Sequence, residues 1–231
     1  MTSALDRARF VSYDAERYDL AGLVARDVFG VDSLSNLHER ALALLGEGGS
    51  PRRLTYQDNL ALRRRMAARR RPAPFYDAYD RLVAEVLAPL VGGRLSYSLH
   101  PTFRIHMAGT ESVSNWHTDV EVTGRDDQVN AWVPLVDAFD TNTIWVETDY
   151  GRGDYVPVPV SYGEILLFDG GWLLHGSVPN TTPVTRVSFD FRFAAKRADL
   201  PNRTLGVLDA RPAVPPPSVV ERLRRVGAGV S

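Results

Sequence analysis

The sequence predicts a mainly β protein: a double-stranded β-helix, or jelly-roll/cupin-like barrel, with N-terminal helices packed outside and a short C-terminal helix. Three observations carry this expectation. Past Pro101 the chain divides into eight short strand-like segments separated by turn residues, the pattern of an antiparallel jelly roll. Apart from a short C-terminal stretch, helical signals fall in roughly the first hundred residues. With 231 residues and no cysteine, the chain can bury one sizeable core without cross-links. One domain is therefore expected over residues 1–231, comprising a mostly helical part (1–100), a barrel (101–195) and a C-terminal extension (196–231).

In chain order, Ser33 or Ser35 is the expected cap of a helix running through Leu37, Ala41, Leu42 and Leu45 to a glycine stop at Gly46. Thr55-Tyr56-Gln57-Asp58 opens a second helix carrying the clusters Arg63 to Arg65 and Arg69 to Arg71, read as a solvated face. Pro72 and Pro74 separate it from a third helix over Tyr76 to Leu90. Such helices pack on a barrel's outer face. Alternation then places strands at Phe103 to Met107, Trp116 to Val122, Val129 to Val136 and Thr143 to Glu147, and again at Asp154 to Val160, Glu164 to Phe168, Leu173 to Val178 and Thr185 to Ala194. Pro212, Pro215, Pro216 and Pro217 lead into a short helix around Val219 to Arg225, and the last residues are expected to be loose.

Composition excludes several classes. Without cysteine there is no thiolate metal site, so a metal must use the five histidines and the carboxylates. The N-terminus lacks an apolar signal core, and no apolar run approaches the ~20 residues that span a bilayer. A cytoplasmic protein is expected, with no membrane partner. A net charge of −1 argues against a nucleic-acid partner, although Lys196 is the only lysine and arginine supplies nearly all the basic charge.

The chemistry-bearing pattern is His117-Thr118-Asp119, answered by His175 and then by Arg186-Val187-Ser188. In an extended strand His117 and Asp119 share a face while Thr118 points away. A second imidazole from a later strand would complete a two-histidine, one-carboxylate triad, which leaves positions open on a non-heme iron. Arg186, about ten residues past His175, opens the alternating run Arg186 to Phe193. Arg186 and Ser188 thus share a face, and a guanidinium beside a hydroxyl suits capture of a carboxylate.

In these residues the chain resembles the Fe(II)/2-oxoglutarate-dependent oxygenase superfamily, whose pattern is HxD, a distal His, and an Arg followed by x-Ser. The resemblance implies that His117, Asp119 and His175 are catalytic metal ligands for Fe(II), and that Arg186 and Ser188 hold the distal carboxylate of the co-substrate 2-oxoglutarate. O2 is the remaining co-substrate. The wider text, Trp116-His-Thr-Asp, Asn130 to Leu135, Thr143 to Glu147 and Ser188 to Arg192, is similar to small bacterial members of the streptomycin/aminoglycoside-biosynthesis type. It implies oxidative decarboxylation coupled to C–H hydroxylation, desaturation or ring closure. Related halogenases lack the triad carboxylate, so Asp119 argues for oxygenation.

Alternation from the ligands assigns further faces. Arg104 and His106 share one, as do Asn130 and Trp132, so each pair is a candidate for lining the cavity, with Asn130 and Arg104 as co-substrate contacts. His106 is not taken as a ligand, because a fourth protein ligand leaves too few open positions for a chelating keto acid and O2. His38 and His100 read as surface or packing residues, and Trp116, Trp132, Trp145 and Trp172 as core or pocket wall. Nine acidic side chains between Asp119 and Asp154 face only Arg125 and Arg152. A cleft lined by part of that acidity would attract a cationic, amine-bearing small molecule. Two other classes use the same barrel. A cupin-type metalloenzyme without 2-oxoglutarate would have no use for Arg186, and a non-catalytic sugar-binding jelly roll would need no metal.

Overall fold

A computed structural model describes residues 3–47, 52–195, 205–208, 211–214 and 216–218. A short edge strand, β1 (Arg9–Ser12), precedes two small helices, α1 (Ala15–Tyr18) and α2 (Leu20–Val24), the second widening into a π-turn over Ala25–Phe29. Three longer helices follow: α3 (Leu37–Leu44), α4 (Tyr56–Ala67) and α5 (Pro74–Leu82). Further turns through Val91 lead to β2 (Leu95–Tyr97) and β3 (Thr102–His106). After α6 (Asp119–Thr123) come β4 (Val129–Pro134), β5 (Ile144–Glu147), β6 (Tyr155–Val158), β7 (Glu164–Phe168), β8 (His175–Gly176) and β9 (Arg186–Ala195).

The strands form two antiparallel sheets. In the larger the order is β1-β7-β4-β9, with β3 and then β2 paired along the other edge of the ten-residue β9. In the smaller the order is β6-β5-β8, and an isolated bridge joins His117 to His175. Strand alternation divides the apolar residues between two layers. One face of the larger sheet presents Val129, Ala131, Val133, Ile165, Leu167, Val187, Phe189, Phe191 and Phe193 to the helices, where Phe75, Tyr79 and Leu82 meet them. The other presents Trp132, Leu166 and Phe168 to Ile144, Val146, Val158 and Leu173 of the smaller sheet and its loops. Inward on β9 the row is polar, because Arg186, Ser188, Asp190 and Arg192 occupy the positions opposite its phenylalanines.

Four sequence expectations need correction. Trp116 to Val122 is not a strand: only His117 bridges, and Asp119 begins α6 because its N–H and that of Val120 donate to the carbonyls of Gly170 and Gly171 instead of to a strand neighbour. Neither Ser33 nor Ser35 caps α3, whose N-cap is Asn36; the two serine hydroxyls bond to each other at 2.7 Å. The part read as helical contributes two strands, β1 and β2, too short to show alternation. Arg69 to Arg71 lie beyond α4, which ends at Ala67, and Arg71 bonds to Asp80 at 2.9 Å rather than facing solvent freely. The expected cap of α4 is present, with the Thr55 N–H donating to Asp58 at 2.8 Å. The expected C-terminal helix falls outside the described residues. Among those described, no helix is long and apolar enough to cross a membrane.

Candidate active site

The bridge between His117 and His175 is made by two backbone hydrogen bonds of 3.0 Å, and it sets the two imidazoles side by side with ring centroids 4.4 Å apart. Gly176 lets the strands approach this closely, since a Cβ there would stand 3.2 Å from the Cα of Trp116 and 3.0 Å from its ring. Each ring is turned by a carbonyl that can only accept a hydrogen bond. Nδ1–H of His117 donates to Asn115 O at 2.8 Å, and Nδ1–H of His175 donates to Leu173 O at 3.0 Å. Both Nε2 lone pairs are thereby left free, as metal ligation requires. They lie 3.9 and 4.0 Å from Oδ1 of Asp119, and ligand atoms of all three residues fall within 4.8 Å of one another. Burial pushes the pKa of His175 down to about 4, so the ring stays neutral at ordinary pH.

Asp119 is held from two sides. Asn130 Nδ2 donates to Oδ2 at 2.7 Å, and Nη2 of Arg192 reaches Oδ1. Burial disfavours its charge, but His175, Arg192 and Asn130 outweigh burial and hold the carboxyl below its ordinary pKa. The turn Asp169-Gly170-Gly171 closes over the same carboxylate: a Cβ on Gly170 would come within 2.8 Å of Oδ2 of Asp119. That turn is itself clamped by Arg211. Its Nε and Nη2 donate to the Asp169 carboxylate at 2.6 and 2.5 Å, its Nη1 donates to Asp126 O, and its guanidinium lies 4.8 Å from the Trp172 ring centroid.

Deeper between the two sheets Arg186 is fully buried, and no carboxylate pairs with it among the described residues. Nη1 donates to Ser188 Oγ at 2.8 Å, Nη2 lies 3.3 Å from His106 Nδ1, Nε has no partner, and the guanidinium sits 5.6 Å from the Trp132 ring centroid. Burial, then the nearby Arg104, lowers its pKa to about 9, which still leaves it charged at neutral pH. His106 is pushed down to about 3 by burial and then by Arg186. It accepts from Arg186 as a neutral ring and takes no part in the His117, Asp119 and His175 cluster.

These groups open on one cavity of roughly 360 Å³, its mouth included, lined by His117, His175, Asn130, Trp132, Arg104, Arg186 and Asp190 among others. Sequence alternation brought Arg104, Asn130, Arg186 and Ser188 to the right face, and the register opposes Arg104 to Ser188 and His106 to Arg186. Asn130, expected as a co-substrate contact, lines the cavity and donates its amide to Asp119, while its Oδ1 has no partner among the described residues. Asp190 and Arg192 were not picked out, although two further steps of the same alternation along β9 point to them. The clamp by Arg211 had no local signal. Of the nine acidic residues between Asp119 and Asp154, only Asp119 is placed at this centre; Glu147, for one, is buried accepting from the N–H groups of Gly153 and Leu174.

No protein-family model matches the chain. It is similar to the streptomycin biosynthesis protein StrG of Streptomyces griseus, 31% identical over 192 residues that cover 82% of this chain and 86% of that protein. Among solved structures it is similar in fold to AviO1 of Streptomyces viridochromogenes Tue57, with a TM-score of 0.54, 18% identity, and coverage of 84% of this chain and 94% of that one. A match to EvdMO1 takes in 50% of this chain and 31% of that one, at 22% identity and a TM-score of 0.41.

Proposed function

Because the chain belongs to the family of the streptomycin biosynthesis protein StrG, we propose that it is an Fe(II)/2-oxoglutarate-dependent dioxygenase. In this reading it couples oxidative decarboxylation of 2-oxoglutarate to C–H oxidation, by hydroxylation or oxidative ring closure, of a small amine-bearing natural product such as an aminoglycoside intermediate. The two facing sheets are then a double-stranded β-helix, and residues 1–231 make one catalytic domain acting in the cytoplasm, with a small-molecule substrate and no nucleic-acid partner.

The observation that carries this reading is Arg186. A buried guanidinium without a carboxylate costs several kcal/mol unless a ligand completes it. Here it faces the cavity lined by two imidazoles with free Nε2 atoms, and the Asp119 carboxylate stands 3.9 and 4.0 Å from those nitrogens. A dicarboxylate with a keto group at one end answers both needs. The donor set of two neutral nitrogens and one charged oxygen fits Fe(II). Iron bound there supplies O2 activation, which couples loss of CO2 from the keto acid to oxidation of a substrate C–H bond.

The chain's own residues do the positioning. His117, Asp119 and His175 would hold the metal. Asn130 and Arg192 fix the carboxylate's direction and keep it ionised, and the carbonyls of Asn115 and Leu173 fix the ring tautomers. Arg186 and Ser188 bind the far carboxylate, with neutral His106 accepting behind the guanidinium so that it need not compete with the ligand. A cupin-type enzyme without 2-oxoglutarate would leave Arg186 with no anion to bind.

The test is O2-dependent succinate formation from 2-oxoglutarate by iron-loaded protein, beside Arg186→Ala. We expect succinate from the wild type, stimulated by an aminoglycoside or aminocyclitol, and about a hundredfold weaker 2-oxoglutarate binding in the variant. Equal succinate from both proteins, or none above background from either, refutes the assignment.

A further inference from the structure

On the inward row of β9, Arg186 engages Ser188 and Arg192 engages Asp119. Asp190 is left over. Its side chain is buried, lines the cavity beside His117, and makes no hydrogen bond among the described residues. The guanidinium nearest it is Arg192, whose Nη2 is 3.9 Å from Oδ2 and already bonded to Asp119. One strand across, Arg104 opposes Ser188 and so stands diagonal to Asp190 on the same face. Arg104 lines the same cavity and likewise has neither hydrogen bond nor ion pair among the described residues. A buried acceptor and a neighbouring donor are thus both unmet, a combination that folded proteins rarely leave without a ligand.

The chemistry of the pair selects what can join it. An ammonium group only donates, so it satisfies Asp190 and is repelled by Arg104. A phosphate or carboxylate satisfies Arg104 and is repelled by Asp190. A hydroxyl donates and accepts at once, and neighbouring hydroxyls on a ring can divide the two tasks. We propose that Asp190 and Arg104 form a substrate grip for a hydroxylated ring, a sugar or cyclitol, with hydroxyl donating to the Asp190 carboxylate and accepting from the Arg104 guanidinium. This deepens the oxygenase reading and rests on it, since that reading makes the cavity the place of reaction. It also moves substrate recognition from the acidic run between Asp119 and Asp154 to two residues outside that run, and it makes Arg104 a substrate contact rather than a co-substrate contact.

The experiment is calorimetric binding without O2, with Fe(II) and 2-oxoglutarate present, using three probes: 2-deoxystreptamine, myo-inositol, and cyclohexylamine as a ring amine without hydroxyls. The two cyclitols should bind the wild type and cyclohexylamine should not. Asp190→Asn and Arg104→Gln should each weaken cyclitol binding by about tenfold or more, while 2-oxoglutarate affinity stays within about twofold. Melting temperatures show whether each variant is folded, and either variant alone suffices. Undiminished cyclitol binding in the variants, cyclohexylamine binding as tight as the cyclitols, no cyclitol binding by the wild type, or loss of 2-oxoglutarate binding in Arg104→Gln would each overturn the grip. A wild type that binds no 2-oxoglutarate refutes the oxygenase reading instead, and the cyclitol arm, run without the keto acid, still decides the grip.

Discussion

Asn130 governs the direction of the Asp119 carboxylate, because its amide bonds to the oxygen beside the one that faces the histidines. Replacing it by alanine should weaken Fe(II) binding by about tenfold or more, measured by competition with a chelator, whereas His175→Ala should remove bound iron altogether. His106 yields a pH prediction. Its folded pKa of about 3 lies below the ordinary 6.5, so between these values the unfolded chain binds the extra proton and stability falls as pH falls. From pH 6.5 to pH 5 the loss from this ring alone should be roughly 2 kcal/mol, and His106→Gln, compared with the wild type in denaturant titrations at both pH values, should show a flatter dependence. The identities of these residues were legible in the sequence, since spacing alone put Arg104 with His106 and Arg186 with Ser188. Their partners were not, because which oxygen an amide meets depends on strand register, and register is a property of two strands at once.

At the scale of elements, the shortest pieces decide the site. His175 lies in a two-residue strand and Asp119 begins a five-residue helix, neither of which could stand alone. Both are fixed by contacts to other segments, His175 by pairing with His117 and Val146 and Asp119 by the turn at Gly170. A methyl group at Gly170 would press on Asp119 and Asn130 together, so Gly170→Ala should lower metal affinity while leaving the two apolar layers intact; unaltered iron binding in this variant would show that the turn yields. The helix-facing layer tests independently. Phe189 meets the rings of Phe75, Phe103 and Tyr79 at 5.6, 5.5 and 5.9 Å, and Phe189→Ala should cost about 3–5 kcal/mol of unfolding free energy. The longer periodic elements, α4, α5, β4 and β9, were readable because each repeats its period often enough to show. The run from Trp116 to Val122 misled because strand-like alternation over a few residues is equally met by one bridge followed by one helical turn.

For the molecule as a whole, the sheets place the cavity between two layers of different composition. Behind β9 lies a continuous aromatic layer shared with the helices, while in front the smaller sheet and its loops carry His117, His175 and the metal-side turn. Arg211 ties that turn down from the far end of the described chain through a buried pair with Asp169. Removing one partner of such a pair strands the other, so Arg211→Ala should destabilise the fold by about 3–5 kcal/mol and weaken metal binding through Asp119, whereas a variant that melts like the wild type would show the contact to be idle. Long-range contacts of this kind leave no trace in local pattern. Arg211 also has a place in time. Synthesis runs from the N-terminus, so His117, Asp119, His175 and Arg186 are all polymerised before the residue that clamps their turn is made. A nascent chain therefore carries every ligand residue before it carries the clamp, and in the proposed oxygenase tight capture of iron would wait until Arg211 has been added and has reached Asp169.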